Sequence, residues 1–351
     1  MEFASDNTSG ASPEVLAALV AANQGYASSY GTDPIIARVT ALIRETFEAP
    51  DAAVRLVATG TAANALSISL LCPQWGAIYC GTAAHVEVDE CGAPEFYVGG
   101  GKMAPIPGPH GKITPDALTA RMAQTPQGDV HHIQHGMLTL TNLTEAGTLY
   151  TPAEVAALIG IARAQGLKTH MDGARFANAL AAAGCTPAEM TWKAGVDILS
   201  FGGTKNGCLG VEAVVMFDPA QAWELELRRK RGGHLFSKHR FLSAQMEGYL
   251  NGRQWLIRAA HANRMAAKLA MGLAALPGAS LVHPCEGNIV FARFPRALHQ
   301  RAMAAGGHYY LWPFDQTLDG PGDQPLSARF VCSWSTTEAD VDEFLALIRR
   351  G

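Results

Sequence analysis

A lysine in a glycine-rich loop is the residue of this sequence best suited to covalent chemistry. Lys205 lies in the segment SFGGTKNG, residues 200–207, directly after an apolar run that predicts a buried strand over residues 196–199. Glycines let a backbone approach a ligand closely. A lysine amine can form a Schiff base with an aldehyde, and partial desolvation favours the reactive, neutral amine. An isolated loop lysine is more often solvated, so this interpretation needs a second group.

An aspartate 33 positions upstream provides that group. Asp172 lies in the segment THMDGAR, residues 169–175, and we expect it at the carboxyl end of a strand that starts after Gly166. Open parallel sheets bind ligands at that edge. An aspartate alone is more often a turn or cap residue. Together with Lys205 it could pair with a pyridinium nitrogen while the lysine holds an aldehyde carbon, as pyridoxal 5'-phosphate requires.

A small-residue turn upstream could hold a phosphate. The segment GTAAN, residues 60–64, follows a predicted strand at 54–58 and opens a helix that runs to Leu71. The free N–H groups and the dipole of such a helix start favour an anion. The motif is weak by itself, because many strand-to-helix turns resemble it.

Two further clusters carry titratable groups. His85 is followed by Glu87, Asp89 and Glu90 in an otherwise apolar stretch, although a lone histidine is more often structural. A basic cluster spans residues 228–231, where the ordinary interpretation is a solvated helix end and the functional one is phosphate contact.

The elements that must position these residues alternate between strands and helices. Short apolar strands and helices of 10–15 residues over residues 50–215 predict a doubly wound α/β domain. Helix starts are marked by Ser12 with Pro13 and by the capping box of Thr151 and Glu154. We expect an arm with a first helix at 1–30, a large domain at 31–240 and a small α+β domain at 241–351, which places Arg329 on a strand.

Composition restricts the class of protein. The chain has 351 residues, of which 48% are hydrophobic and 17% charged, and its net charge is -4. This composition predicts a globular enzyme with no nucleic-acid or membrane partner. The seven cysteines lack CxxC spacing, so we expect free thiols, no metal site and a cytoplasmic location.

In this order, the motifs resemble the low-specificity L-threonine aldolases, which are pyridoxal-phosphate enzymes of fold type I. The similarity covers nearly the whole chain through the segments FASDNTSGASPEV, GTAANAL, AHVEVDECGAPEF, HMDGARFANA, SFGGTKNG and SARFVCSW. It implies an aspartate-aminotransferase-like large domain with a mixed, mostly parallel sheet, followed by a small α+β domain.

The resemblance implies a cofactor site. Lys205 forms the Schiff base, Asp172 pairs with the pyridine nitrogen and His85 stacks on the ring, while Arg231 of a neighbouring subunit is a candidate phosphate ligand. The expected cofactor-binding set is Gly60, Thr61, Ala62, His85, Asp172, Arg175, Thr204, Lys205 and Arg231.

The resemblance also implies a substrate site. Ser5, Arg175 and Arg329 match positions that grip the substrate carboxylate, and Glu90 matches an acid near the reacting face. The expected catalytic residues are therefore Lys205, His85 and Glu90.

One segment departs from the family pattern. Many members carry a histidine that faces the substrate hydroxyl, whereas residues 140–147 (LTNLTEAG) contain none. His132 and His135 lie earlier in the chain. The base is therefore left open between His85 and a water held by Glu90.

The function implied is retro-aldol cleavage of threonine, allo-threonine and related β-hydroxy amino acids, such as phenylserine, to glycine and an aldehyde. The resemblance further implies a homotetramer, as a dimer of dimers, with active sites at subunit interfaces. The alternatives are another fold type I reaction (β-elimination, transamination or racemisation) and a cofactor-binding regulator without activity.

Overall fold

A seven-stranded sheet forms the centre of the computed structural model, which describes residues 1–349. Its strands are β1 Ala53–Val57, β2 Gly76–Gly81, β3 Lys102–Ile106, β4 Gln134–Thr141, β5 Lys168–Gly173, β6 Ile198–Gly202 and β7 Glu212–Met216. The order is β1-β7-β6-β5-β4-β2-β3. Strand β7 is antiparallel to β1 and β6, whereas β6, β5, β4, β2 and β3 are parallel. This confirms the predicted mixed, mostly parallel sheet.

The α-helices flank this sheet and a second, smaller one. They are α1 Pro13–Ala22, α2 Pro34–Thr46, α3 Gly60–Leu71, α4 His85–Val88, α5 Ala93–Val98, α6 Pro115–Ala123, α7 Pro152–Ala164, α8 Phe176–Ala183, α9 Pro187–Met190, α10 Ala222–Arg231, α11 Arg240–Leu250, α12 Gln254–Ala274, α13 Arg296–Ala304 and α14 Glu338–Arg349. Among the described residues 1–349, no helix has the length and apolarity needed to cross a membrane.

The predicted helix caps are present. The Ser12 hydroxyl accepts the N–H of Val15 at the start of α1. At the start of α7, Thr151 and Glu154 each accept the backbone N–H of the other, which is the predicted capping box. Since each cap satisfies N–H groups that a helix start leaves unpaired, these boundaries follow from local sequence.

The second sheet is antiparallel and lies near the carboxyl terminus. Its strands are β8 Ser280–Leu281, β9 Ile289–Pro295, β10 Tyr310–Leu311 and β11 Pro325–Val331, in the order β10-β11-β9-β8. Phe294, Phe330 and Phe344 pack in its core together with Phe3 of the N-terminal arm. Arg329 lies on β11, as predicted.

The helical stretch after residue 240 connects the two sheets. It comprises two helices, α11 and α12, and a break at residues 251–253 where Gly252 has φ 63°. Tyr249 and Trp255 belong to the core of the large sheet, whereas Leu269 and Leu273 belong to the core of the small sheet. We therefore propose that the division between the two units falls inside α12, rather than at the predicted position 240/241.

Candidate active site

Two neighbouring strands bring the predicted lysine and aspartate to one edge. In the β5–β6 pair, Asp172 lies opposite Ser200 and Gly173 opposite Phe201. Because the strands are parallel, Asp172 and the loop that carries Lys205 both lie at their carboxyl ends. This is the edge at which open α/β sheets bind ligands.

Close backbone contacts explain the glycines before the lysine. A Cβ on Gly202 would collide with the backbone of Ala174, and one on Gly203 would lie 2.7 Å from the carbonyl oxygen of Val211. The Gly203 N–H also donates to Glu212 Oε2 at 2.8 Å. Any larger residue at either position would displace the loop, so the two glycines fix the position of the Lys205 backbone.

Helices α11 and α12 hold the other side of the loop. The Tyr249 hydroxyl donates to the carbonyl of Gly202 at 3.0 Å and accepts from Asn206 Nδ2 at 3.0 Å. Asn206 also donates to the carbonyl of Trp255 at 2.8 Å. Lys205 therefore lies between two residues whose positions are fixed by buried hydrogen bonds.

Burial sets the charge on the lysine. Desolvation lowers the pKa of Lys205, and the nearby Arg175 lowers it further, whereas Asp6, Asp172 and Glu212 act in the opposite direction. The net shift favours the neutral amine, as a nucleophile needs. Burial also raises the pKa of Glu212 to about 7.

A chain of hydrogen bonds links the aspartate to the histidine. Asn64 Nδ2 donates to Asp172 Oδ2 at 3.0 Å and to Glu90 Oε1 at 2.8 Å. Glu90 Oε1 in turn lies 2.8 Å from His85 Nδ1. Asp172 accepts a further bond from the backbone N–H of Ala174 at 2.9 Å. The chain fixes both groups that were predicted to contact the cofactor ring.

Glu90 lies behind the histidine rather than beside the reacting face. Its side chain is 0% exposed, whereas that of His85 is 39% exposed. Glu90 therefore contacts the site through His85, and the water route stays a prediction. The hydrogen bond that Glu90 accepts from His85 raises the pKa of His85, and burial partly opposes that effect.

The start of α3 is open, as a phosphate site needs to be. A Cβ on Gly60 would meet no atom within 4 Å. The N–H of Ala62 is occupied by the Thr59 hydroxyl at 3.2 Å, which leaves Gly60 and Thr61 as the better donors for an anion. The Thr204 hydroxyl is occupied as well, since it accepts the N–H of Val211 at 3.1 Å.

The N-terminal arm contributes a carboxylate to the site. Arg175 Nε and Nη2 donate to the two oxygens of Asp6 at 2.7 and 2.9 Å, and Asn288 Nδ2 donates to Asp6 at 3.0 Å. Asp6 is 1% exposed. Burial alone would raise its pKa, but the charges of Arg175 and Lys205 outweigh burial and hold the pKa below its ordinary value.

Arg329 also contacts the N-terminal arm, but its charge has fewer hydrogen-bond acceptors than that of Arg175. Its Nη2 donates to the carbonyl of Ala4 at 3.2 Å, and its buried Nε has no partner among residues 1–349. The guanidinium lies 5.2 Å from the ring centroid of Trp312 and 5.5 Å from that of Tyr310. The adjacent Ser5 hydroxyl accepts the N–H of Asn7 at 3.1 Å. A planar cation with an unpaired N–H is suited to a carboxylate.

Three residues that the sequence suggested for the active site lie away from Lys205 of the same chain. Arg231 ends α10 on an exposed surface and lines a cleft with Trp75 and Phe96. His132 and His135 lie at the amino end of β4, where His135 Nε2 contacts the carbonyl of Met122 at 3.2 Å. That end is about 20 Å from the carboxyl edge, at about 3.3 Å per residue. Both histidines are therefore excluded as bases at Lys205 of the same chain.

Sequence reasoning missed four side chains of this site: Asp6, Asn64, Glu145 and Glu212. Glu145 lies in the segment that was searched for a histidine, and a search for any titratable group would have found it. The roles of Asn64 and Glu212 depend on contacts between distant segments, which no local pattern reports.

The residues present fit pyridoxal phosphate. The open helix start at Gly60 leaves room for a phosphate, and Asp172 is a buried carboxylate one residue before the end of β5. The Nε of Arg329, which has no partner in the described part of the chain, is suited to an anion such as a substrate carboxylate.

Comparisons with known proteins agree with this geometry. The family model of the beta-eliminating lyases matches residues 2–295. The chain is 43% identical to low specificity L-threonine aldolases of a Pseudomonas species and of Pseudomonas aeruginosa, over 99% of this chain and 97% of each relative. A solved threonine aldolase of Leishmania major superposes with a TM-score of 0.91 at 27% identity, covering 99% of this chain and 98% of that one. The chain thus belongs to the low-specificity L-threonine aldolase family, among the beta-eliminating lyases.

Proposed function

We propose that this protein uses pyridoxal phosphate to cleave L-threonine, L-allo-threonine and related β-hydroxy amino acids to glycine and an aldehyde. The observation that carries the proposal is the meeting of Lys205 and Asp172 at the carboxyl edge of β5 and β6. The relatives of known activity are threonine aldolases.

The cofactor assignment rests on the residues that would hold it, and these families depend on pyridoxal phosphate in general. Lys205 would hold the aldehyde carbon, Asp172 the pyridine nitrogen, and Gly60 and Thr61 the phosphate, with Arg231 of a neighbouring subunit as a further candidate. When bound, the group supplies an electron sink next to the amino nitrogen of the substrate.

The remaining side chains orient the amino acid. Arg329 is the better partner for the substrate carboxylate, because Asp6 already occupies Nε and Nη2 of Arg175. Arg175 would then add positive charge, and His85 would cover the cofactor ring. A carboxylate fixed in this way holds the Cα–Cβ bond in one orientation, which is what selects the bond that breaks.

A second candidate reaction is β-elimination, which the description of the matching family model favours. Elimination gives a keto acid and ammonia, whereas aldol cleavage gives glycine and an aldehyde. Both reactions would use Lys205, Asp172 and Arg329, so the products distinguish them.

A lysine variant tests the proposal. Wild-type protein with cofactor should release glycine and acetaldehyde from threonine, and borohydride should attach the cofactor to Lys205. Lys205→Ala should lose this activity completely. The matched control Lys193→Ala removes an exposed lysine that pairs with Glu48 at 2.6 Å, and it should retain activity. Cleavage by Lys205→Ala at the wild-type rate would contradict the proposal, and a keto-acid product would favour elimination.

We further propose that the protein is a cytoplasmic homotetramer with active sites at its subunit interfaces. Large apolar side chains on the surface support self-association, among them Tyr26, Phe96 and Trp223, which are 106%, 79% and 73% exposed. Light scattering during size-exclusion chromatography would give the mass of the assembly.

A further inference from the structure

The loop after β4 places a carboxylate at the active-site edge. Glu145 Oε1 accepts the backbone N–H of His85 at 2.8 Å. His85 is the first residue of α4, which has no side-chain cap of its own. Glu145 therefore reaches from one segment of the edge to another and lies next to the histidine that faces the site.

The charges around Glu145 place it among the site residues. Burial and the neighbouring charge of Asp172 together raise the pKa of Glu145 to about 6, although N–H and hydroxyl donors act against this shift. The negative charge of Glu145 in turn acts on Arg175, Tyr150 and Cys80, which belong to three other segments. Its carboxylate thus lies between the start of α4 and the ends of β4 and β5.

Three other titratable groups at this edge, Glu90, Asp172 and His85, are poorly suited to accept a proton. Glu90 is fully buried behind His85, and Asp172 is 3% exposed and occupied by two donors. The bond to Glu90 raises the pKa of His85, so the imidazole tends to keep its proton and acts more readily as an acid. Glu145 keeps part of its surface open, and one of its oxygens is not used by His85.

We propose that Glu145 is the catalytic base that takes the proton from the β-hydroxyl of the substrate. This inference rests on the proposed function. The O–H bond breaks and a bond from the proton to Glu145 forms, while the oxygen electron pair becomes the second bond of the aldehyde carbonyl. The Cα–Cβ pair stays with Cα, which takes up a proton to give glycine. Glu145 then releases its proton to the solvent, which balances the proton that Cα takes up. The atoms of the substrate therefore equal those of glycine plus the aldehyde, and no oxidant or reductant is needed.

The test variant is Glu145→Gln in the full-length enzyme with cofactor. Its amide oxygen can still accept the His85 N–H, but it cannot take a proton. We expect kcat/KM for threonine cleavage to fall by about 10²–10⁴-fold, the usual contribution of a general base. Exchange of the α-hydrogen of glycine with deuterated solvent involves no hydroxyl and should remain close to wild type. Cofactor affinity, measured by absorbance, should also be unchanged.

A measurement without substrate or turnover checks the titrating group itself. Infrared difference spectra of the protein without cofactor should show, in wild type, a carboxylic acid that loses its proton near pH 6, in addition to that of Glu212 near pH 7. The signal near pH 6 should be missing from Glu145→Gln. The matched control is Glu87→Gln, which changes a partly buried glutamate on α4 and should keep both the signal and the activity. Should Glu145→Gln fail to fold, Glu145→Asp keeps the carboxyl group but moves it away from the substrate, because the side chain is shorter. This variant should cleave threonine more slowly and retain glycine exchange.

Three results would overturn the proposal. Unchanged cleavage by Glu145→Gln would place the base elsewhere. Equal losses of cleavage, glycine exchange and cofactor affinity would show that Glu145 only positions His85. Absence of threonine cleavage by the wild type would overturn the proposed function itself, which separates that failure from a failure of Glu145.

Discussion

A carboxylate without solvent contact controls the histidine that faces the site. Glu90 lies 2.8 Å from His85 Nδ1 and is also bonded by Asn64. A charged partner in such a place stabilises the protonated imidazole. The role that the residues support for Glu90 is therefore that of a positioning residue, which acts on the substrate only through His85.

Glu90→Gln should lower the pKa of His85, because the neutral amide no longer favours the imidazolium. The raised pKa means that the charged pair stabilises the fold below the ordinary histidine value of 6.5, and that this stabilisation is lost as pH rises through the folded-state pKa. The difference in unfolding free energy between wild type and Glu90→Gln should thus be largest below pH 6.5 and shrink above it.

NMR titration of ¹⁵N-labelled histidines measures that pKa, with His85→Asn to assign the signal. Glu87→Gln, on the same helix, serves as the control and should leave the His85 titration in place. An unchanged His85 pKa in Glu90→Gln would show that the imidazole is held by other groups.

At the scale of elements, the lysine loop depends on helices that come after it in the chain. Tyr249 in α11 bonds both ends of the loop, at Gly202 and at Asn206. Tyr249 is 0% exposed, so water cannot replace its hydroxyl if it is removed. The position of Lys205 is therefore set by the packing of α11 against the sheet as well as by the strand before it.

Tyr249→Phe should lower the unfolding free energy by about 1–3 kcal/mol, since the buried carbonyl of Gly202 loses this donor and the buried amide of Asn206 loses one of its two acceptors. Denaturant unfolding measures this loss. Cofactor affinity, followed by absorbance, should weaken too, because the lysine loop loses its brace.

Tyr309→Phe is the matched control for Tyr249→Phe. Tyr309 is also buried, and its hydroxyl contacts His299 in the core of the small sheet at 3.1 Å. This variant should lose stability but keep wild-type cofactor affinity. Equal cofactor affinity in the two variants would contradict a role for Tyr249 in placing the lysine.

Elements with local signals were predictable from sequence, and the others were not. The caps of α1 and α7 were predicted directly from the sequence. Strand β3 was missed because Pro105 interrupts its pattern, yet β3 is an edge strand of the sheet, where a proline is tolerated. Helix α8 was missed because its first residue follows Arg175, which makes no capping bond. In both cases tertiary packing outweighs the local sequence.

At the scale of the whole molecule, the site depends on contacts between segments that lie far apart in the chain. The carboxyl ends of β5 and β6, which position Asp172 and the loop of Lys205, follow from the α/β pattern, so this pair was predictable. The Asp6 contacts were not, because they join residue 6 to residues 175 and 288, and sequence spacing does not report such pairs.

Asp6 links the N-terminal arm to both sheets, through Arg175 on the large unit and Asn288 on the small one. Asp6→Asn should destabilise the protein by about 3–5 kcal/mol, because it removes the carboxylate that pairs with the largely buried guanidinium of Arg175. Since the pKa of Asp6 is held below 3.8, its stabilisation is present above that pH and is lost as pH falls through the folded-state pKa. The variant should therefore lack this part of the acid destabilisation seen in wild type.

A measurement of activity distinguishes a role of Asp6 in ordering the substrate site from a role in stability alone. In Asp6→Asn, Arg175 is free to move, so the Michaelis constant for threonine should rise while the cofactor absorbance stays. The matched control is Asp197→Asn, which breaks the bond of Asp197 to Lys168 at 3.1 Å, at the opposite end of the sheet. That change should leave the Michaelis constant unaltered whatever it does to stability. If Asp6→Asn binds threonine as tightly as wild type, the arm stabilises the molecule without ordering the substrate site, and Arg329 alone holds the carboxylate.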